Sequence, residues 1–228
     1  RDRTVSRGLG DVYKRQLVIG HPQDPGLSKG AAATSGKFAS LQAIPAVSPM
    51  AERLGLERDL ALVEMTGAKY HADQITTALA LPALERAKQQ GLDVTAGVSI
   101  HHLTLNEFDV ADYRSFFKVK PPLRSEEDRL AVVSALATGL LDIISSMHTP
   151  QNEESKRLPY EQAASGAVAL ETLLPAALRL YHSDDLSLPN LFRALSLNPA
   201  KLLGLSSGRL TKGCLLYTSP SPRDTVRS

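Results

Sequence analysis

Short apolar runs alternate along this chain with longer segments whose apolar residues recur every three or four positions. Leu17-Val-Ile-Gly20 reads as a strand ending at His21, and Pro22-Gln-Asp-Pro25 breaks the backbone directly after it. Residues 26–46 are rich in Gly, Ala and Ser, have weak periodicity, and read as a long loop. Ser48-Pro49 then predicts a helix start, an N-cap followed by a first-turn proline. Leu56, Leu60, Val63 and Met65 fall near one face of that helix, and Gly67 ends it. The plan repeats with a strand over residues 68–75, a helix over 79–90 and Gly91 as its cap. A third strand over 93–100 is followed by His101-His102, and a loop carries Phe116-Phe117 and Lys120-Pro-Pro-Leu-Arg124. Ser125-Glu-Glu-Asp128 has the pattern of a capping box and opens a helix reaching Thr138, with Gly139 after it.

Leu141, Ile143 and Ile144, with no charge after Asp142, suit a strand buried on both faces of a parallel sheet. That strand delivers a polar end, Ser145-Ser-Met-His-Thr-Pro-Gln151, at the side where such folds keep their chemistry. Past it, residues 152–157 read as a polar loop, 166–181 as a helix bent at Pro175, and 187–203 as two short helices divided at Asn198-Pro199. Four strands that each return through a long connection predict a parallel α/β sheet, half the strand count of an eight-stranded barrel.

The two ends do not read as protein that evolved to fold. Back-translated with suitable codons, Cys214–Asp224 gives a DNA whose reverse complement, shifted by one base, translates into the letters of Ser6–Gln16. Residues 1–16 and 214–228 therefore read as one sequencing adapter translated in both directions, and residues 17–213 as the native segment. This changes the charge. The whole chain is formally +2, but five Arg/Lys against two Asp in the first tail and two Arg against one Asp in the second contribute +4, leaving −2 for the core. No basic run with interleaved aromatics remains, so nucleic acid is not an expected partner. The sole cysteine, Cys214, lies in a tail, so the core offers no disulfide, thiolate ligand or thiol nucleophile, which is compatible with a cytoplasmic setting. No apolar run approaches the roughly 20 residues of a membrane span, so no membrane partner is expected either.

Several motifs, in order, resemble those of dihydroorotases, TIM-barrel amidohydrolases of pyrimidine synthesis. They are His21-Pro-Gln-Asp24, Tyr70-His-Ala-Asp-Gln-Ile-Thr-Thr77, Val94-Thr95 through His101-His102-Leu103, Pro121-Pro-Leu-Arg-Ser-Glu-Glu-Asp128, Gly166 through Leu170-Glu171-Thr172, and Asn198-Pro199-Ala200. The resemblance implies a partial (β/α)8 barrel of metallo-dependent hydrolase type, strands 5–8 with their helices, the strand bearing a His-x-His metal motif lying upstream. It also implies one or two zinc ions that polarise a cyclic amide carbonyl and supply hydroxide.

By that resemblance His21 stands at the histidine ligand ending the fifth strand. The ligand histidine of the sixth strand is Gln74 here. The eighth-strand Thr-Asp-His-Ala-Pro-His is Ser146-Met-His-Thr-Pro-Gln151, which puts Met147 at the metal-binding general base and Gln151 at a substrate-binding histidine. Lys120 replaces a substrate-contacting Asn. A thioether takes no proton from water and is a poor partner for a hard, hydroxide-bearing zinc. His21 thus reads as vestigial, His71 and Asp73 as polar packing on the strand face opposite Gln74, and His101-His102 as structural. Glu126, Glu127 and Asp128 suit a helix N-terminus. His148 reaches the base position only through a one-residue register shift, and Lys120 either meets an anion or sits in solvent.

Three functions follow as expectations. The first is a non-catalytic, dihydroorotase-like scaffold for aspartate carbamoyltransferase, needing no cofactor. The second is an active zinc-dependent amidohydrolase with a site rebuilt from His21 and His148. The third is a small-ligand module using Lys120 and Gln151. Four strands alone leave open sheet edges, so self-association into homo-oligomers or aggregates is expected of the chain by itself.

Overall fold

The structure, a computed structural model, describes residues 16–209. The two segments read as adapter lie outside the described residues, apart from Gln16, and so does Cys214. In chain order, β1 (Leu17–Gly20) leads to α1 (Pro25–Ser28), β2 (Ala33–Thr34), α2 (Lys37–Leu41), β3 (Ala46–Val47) and α3 (Met50–Thr66). β4 (Lys69–Ala72) enters α4 (Leu81–Gln89) through a 3₁₀ turn, Ala78–Ala80, and β5 (Val94–Ser99) runs straight into α5 (Ile100–Thr104). Then come α6 (Glu126–Ala137), β6 (Ile143–Ser145), α7 (Glu153–Lys156), α8 (Leu173–His182), α9 (Leu188–Phe192) and α10 (Asn198–Leu202).

The main sheet has the order β1-β4-β5-β6, all parallel, with Gly20 opposite Ala72, Tyr70 opposite Val94 and Gly97 opposite Ile143. Each strand lies beside its predecessor in that sheet, so the helical crossovers wind one way, as in a barrel segment. The expected α/β half-barrel is thus observed. The larger core packs Leu56, Leu60 and Val63 of α3, Leu84 of α4 and Val132 and Leu136 of α6 against Tyr70, Ala96, Val98 and Ile144. Close approach is built in: a side chain at Gly55 would run into the backbone of Pro22 and Gln23, so α3 lies directly on the turn after β1. Among the described residues, no helix is long and apolar enough to cross a membrane.

Several local expectations change. The 26–46 segment is not an unstructured loop. The Ala32 and Ala33 amides both donate to the Pro45 carbonyl and Ser35 N donates to Val47 O, so β2 and β3 form a small parallel sheet. Phe38, Ala39 and Ile44 bury against Val110, Val119, Leu123 and Tyr160 in a second core. Met65 is 82% exposed, because only the Leu56-Leu60-Val63 stripe of α3 reaches the sheet. Pro175 does not bend a helix: α8 begins at Leu173, so the proline falls in the first turn, where a missing N–H costs nothing. Asn198-Pro199 opens the second of two short helices, as expected, but the backbone does not break there. A π-helical turn, Arg193–Leu197, resets the hydrogen-bond register just before Pro199 and the helical path continues. Ser125 accepts from Asp128 N at 3.2 Å as the capping pattern predicts, but the Asp128 carboxylate reaches across to Ala78 N at 2.8 Å instead of closing the box.

Candidate functional site

The C-terminal strand ends form one rim. His21 follows β1, with an exposed ring that has no hydrogen-bond partner among the described residues. Past β4 the ladder continues on both sides, Asp73 N to Gly20 O and Ile75 N to Gly97 O, each 2.8 Å. Gln74 between them is buried at φ 60°, a bulge-like kink that ends the strict alternation of faces. His71 lies across to β5, its Nδ1 2.8 Å from Thr95 Oγ1, above Gly97, whose missing side chain leaves it room. Burial lowers the His71 pKa, so the ring is neutral at physiological pH.

Past β6, Met147 is half-buried with φ 45°. His148 is exposed, but its Nδ1 accepts from both Ala169 N at 3.0 Å and Leu170 N at 3.1 Å, and its backbone bridges Ala167. Its ring therefore pins the 167–170 segment. His21 and His148 follow opposite edge strands, with β4 and β5 between them.

Zinc requires several N, O or S donors converging at about 2.0–2.3 Å. Among the described residues no group of three or more His, Cys, Asp or Glu side chains is placed to hold a metal ion. An amide at Gln74, a thioether at Met147 and an imidazole already engaged at His148 do not fit that ion.

The second histidine pair is built into the fold. His102 is buried, with Nδ1 2.9 Å from Ser99 Oγ and Nε2 3.3 Å from the Pro122 carbonyl. Burial, with the positive Arg124 nearby, pushes its pKa down to about 3, so Nε2–H donates to Pro122 and Nδ1 accepts from Ser99. His101 is also lowered by burial, and its Nε2 is buried with no partner among the described residues.

Two features were not visible as chemistry in the sequence. Glu52 and Arg124 form a buried ion pair at 3.2 Å. The Glu52 carboxylate also accepts from Thr76 N at 2.8 Å, Thr77 N at 2.9 Å, Thr77 Oγ1 at 3.2 Å and the Thr76 hydroxyl. Arg124 Nε donates to Thr76 Oγ1 at 2.9 Å and its Nη1 to Thr34 Oγ1 at 3.2 Å, while Thr34 Oγ1 donates to the Leu123 carbonyl. The arginine of the Pro-Pro-Leu-Arg motif is thus a clamp joining α3, the end of β4 and β2. The second feature is Lys156, expected in a solvated loop but buried beside a cavity of about 280 Å³. Gln151 lines that cavity, and the exposed Lys120 does not.

No protein-family model matches the chain. It is 39% identical over 196 residues to the dihydroorotase of Wolbachia sp. subsp. Drosophila simulans (strain wRi), covering 86% of this chain and 44% of that protein. It is 36% identical over 213 residues to a dihydroorotase-like protein of Pseudomonas putida, covering 93% of this chain and 50% of the relative. The L-hydantoinase (dihydropyrimidinase) of Arthrobacter aurescens superposes with a TM-score of 0.78 at 25% identity over 90% of this chain and 49% of its own. The dihydroorotase of Saccharomyces cerevisiae, solved with 5-fluoroorotic acid, superposes with a TM-score of 0.68 at 18% identity over 88% of this chain and 53% of its own. The chain spans about half the length of the curated relatives it matches.

Proposed function

Starting from a dihydroorotase-like chain with an amidohydrolase-type half-barrel, we propose that the protein serves pyrimidine biosynthesis in the cytoplasm without catalysing a step. Its barrel acts as an assembly scaffold for aspartate carbamoyltransferase. The observation that carries this reading is the state of the rim. The places that the resemblance gives to a metal ligand and a general base hold the Gln74 amide and the Met147 thioether, neither able to accept a proton from water at neutral pH. Framework contacts near them are kept, among them the Glu52–Arg124 clamp and the His102 bonds. A fold maintained beside lost chemistry is what a platform requires.

A zinc hydrolase rebuilt on His21 and His148 is the less favoured reading, because the two follow opposite edge strands and His148 Nδ1 already receives two backbone amides. The deciding experiment uses the full-length gene product, expressed with the carbamoyltransferase of the same source. Co-elution in a fixed ratio, without stoichiometric zinc and without dihydroorotate turnover, is expected. Stoichiometric zinc accompanied by turnover overturns the proposal, and so does failure of the two proteins to associate.

A further inference from the structure

The half-barrel leaves two unlike edges uncovered. β1 and β6 are the outer strands of the main sheet, each with a ladder neighbour on one side alone among the described residues. Beside β1, along the flank of α3, runs a groove of about 700 Å³ walled by Val18, Leu62, Met65 and Tyr70. Met65 is 82% exposed, and Ile19, which by strand alternation faces the other side of the sheet from Val18, is 58% exposed. At the far edge the π-helical turn packs on β6, and the helical path around it exposes Phe192, Leu203 and Leu205. The two edges also differ in charge. Residues 188–209 hold Arg193, Lys201 and Arg209 and no acid, and none of the three forms an ion pair among the described residues. The groove side holds Glu64, exposed between Val63 and Met65, and Asp59 in its wall, the latter paired with Arg58.

We propose that a second copy of this chain covers both edges at once, the two copies related by a two-fold axis along the barrel and closing eight strands into a ring. β1 of each copy lies parallel to β6 of the other, and α9 and α10 of each copy fill the groove beside α3 of the other. Four sequential parallel strands are half of an eight-stranded barrel, so a head-to-tail contact that would otherwise extend from copy to copy closes at two. Apolar edge then meets apolar edge, the basic 188–209 segment comes to the Glu64 side, and strand edges that one copy has no means of pairing gain ladders. Each copy contributes about twenty residues over the two seams, the scale of an interface of about 800 Å² a side. The rim becomes continuous, with His21 of each copy beside the Met147 end of the other. This fixes the partner and the geometry of self-association, and it does not depend on the scaffold role.

Sedimentation equilibrium of the 228-residue chain at micromolar concentration is expected to give twice the 24.5 kDa of one copy. Met65→Lys sets a base against the basic segment, and Leu203→Glu sets an acid against Glu64. Each is expected to weaken dimerisation about tenfold or more, and both positions are exposed, so circular dichroism is expected to show the parent fold. An equimolar mixture of the two variants is expected to dimerise again, because one seam is then unaltered and the other pairs the two new charges. Leu62→Lys and Leu205→Glu, also exposed, repeat the test where a first variant is not folded. A monomeric parent, growth beyond two copies, a dimer that Leu203→Glu leaves intact, as pairing of β1 with β1 requires, one that Met65→Lys leaves intact, or no recovery on mixing overturns the proposal.

Discussion

The buried cations Arg124, Lys118 and Lys156 of this half-barrel are treated in opposite ways. Arg124 is matched by Glu52 and by the hydroxyls of Thr34 and Thr76, so its charge is met and each of its three nitrogens has a partner inside the protein. Lys156 is met by backbone carbonyls alone, and Lys118 by one carbonyl and the face of the Tyr160 ring. A buried charge with a full set of partners is a joint of the framework. One held by carbonyl dipoles has no ion pair among the described residues, and that contrast follows the partners rather than the residue type.

The largest test of the contrast is Arg124→Met. It strands the Glu52 carboxylate in the interior, and a loss of about 3–5 kcal/mol in urea unfolding is expected. A loss under about 1 kcal/mol would mean that the clamp is no joint at all.

Acidification comes next. His102 is neutral in the fold with a pKa near 3 and titrates near its ordinary value of about 6.5 when unfolded. Between those values the unfolded chain binds the additional proton, so stability falls as pH is lowered through that window. The slope approaches about 1.4 kcal/mol per pH unit from this residue, with His71 and His101 adding in the same direction. His102→Asn should flatten the profile, and a profile equally steep in that variant would place the proton uptake elsewhere. The smallest effect belongs to Lys156→Met. It removes an unmatched charge as well as two hydrogen bonds, so a change of about 1–2 kcal/mol is expected. A loss as large as that of Arg124→Met would erase the distinction between the two cations.

Local signals carried the elements whose ends are fixed by neighbours in sequence. Gly67 ends α3 and Ser125 opens α6, because caps act within three or four residues, whereas the N-cap of α3 is Pro49, with no side-chain cap bond, one residue later than the expected Ser48. What escaped reading depends on partners far away. Glu52 resembles any acid in a first helical turn, yet its partners are Thr76, Thr77 and Arg124. Lys156 sits in a run of charged residues that reads as solvated, and only the arrival of the Ser115 and Lys118 carbonyls makes it interior. His148 tempts a catalytic reading by composition, but its Nδ1 is committed to amides about twenty residues onward. The identities of the substituted rim positions, Gln74 and Met147, were visible at once, whereas their left-handed backbone was not, since no glycine or asparagine announces it.

The Glu52 clamp also has a kinetic meaning. Its bonds close loops of 24, 72 and 90 residues, counted along the chain from Thr76 to Glu52, Glu52 to Arg124 and Thr34 to Arg124. Loop-closure entropy must be met before such contacts return anything, so the clamp is expected to form late in folding. A joint made late contributes little to the rate at which a chain folds and much to the rate at which it unfolds, so loss of the Glu52–Arg124 pair is expected to shorten the lifetime of the folded half-barrel more than it slows its formation.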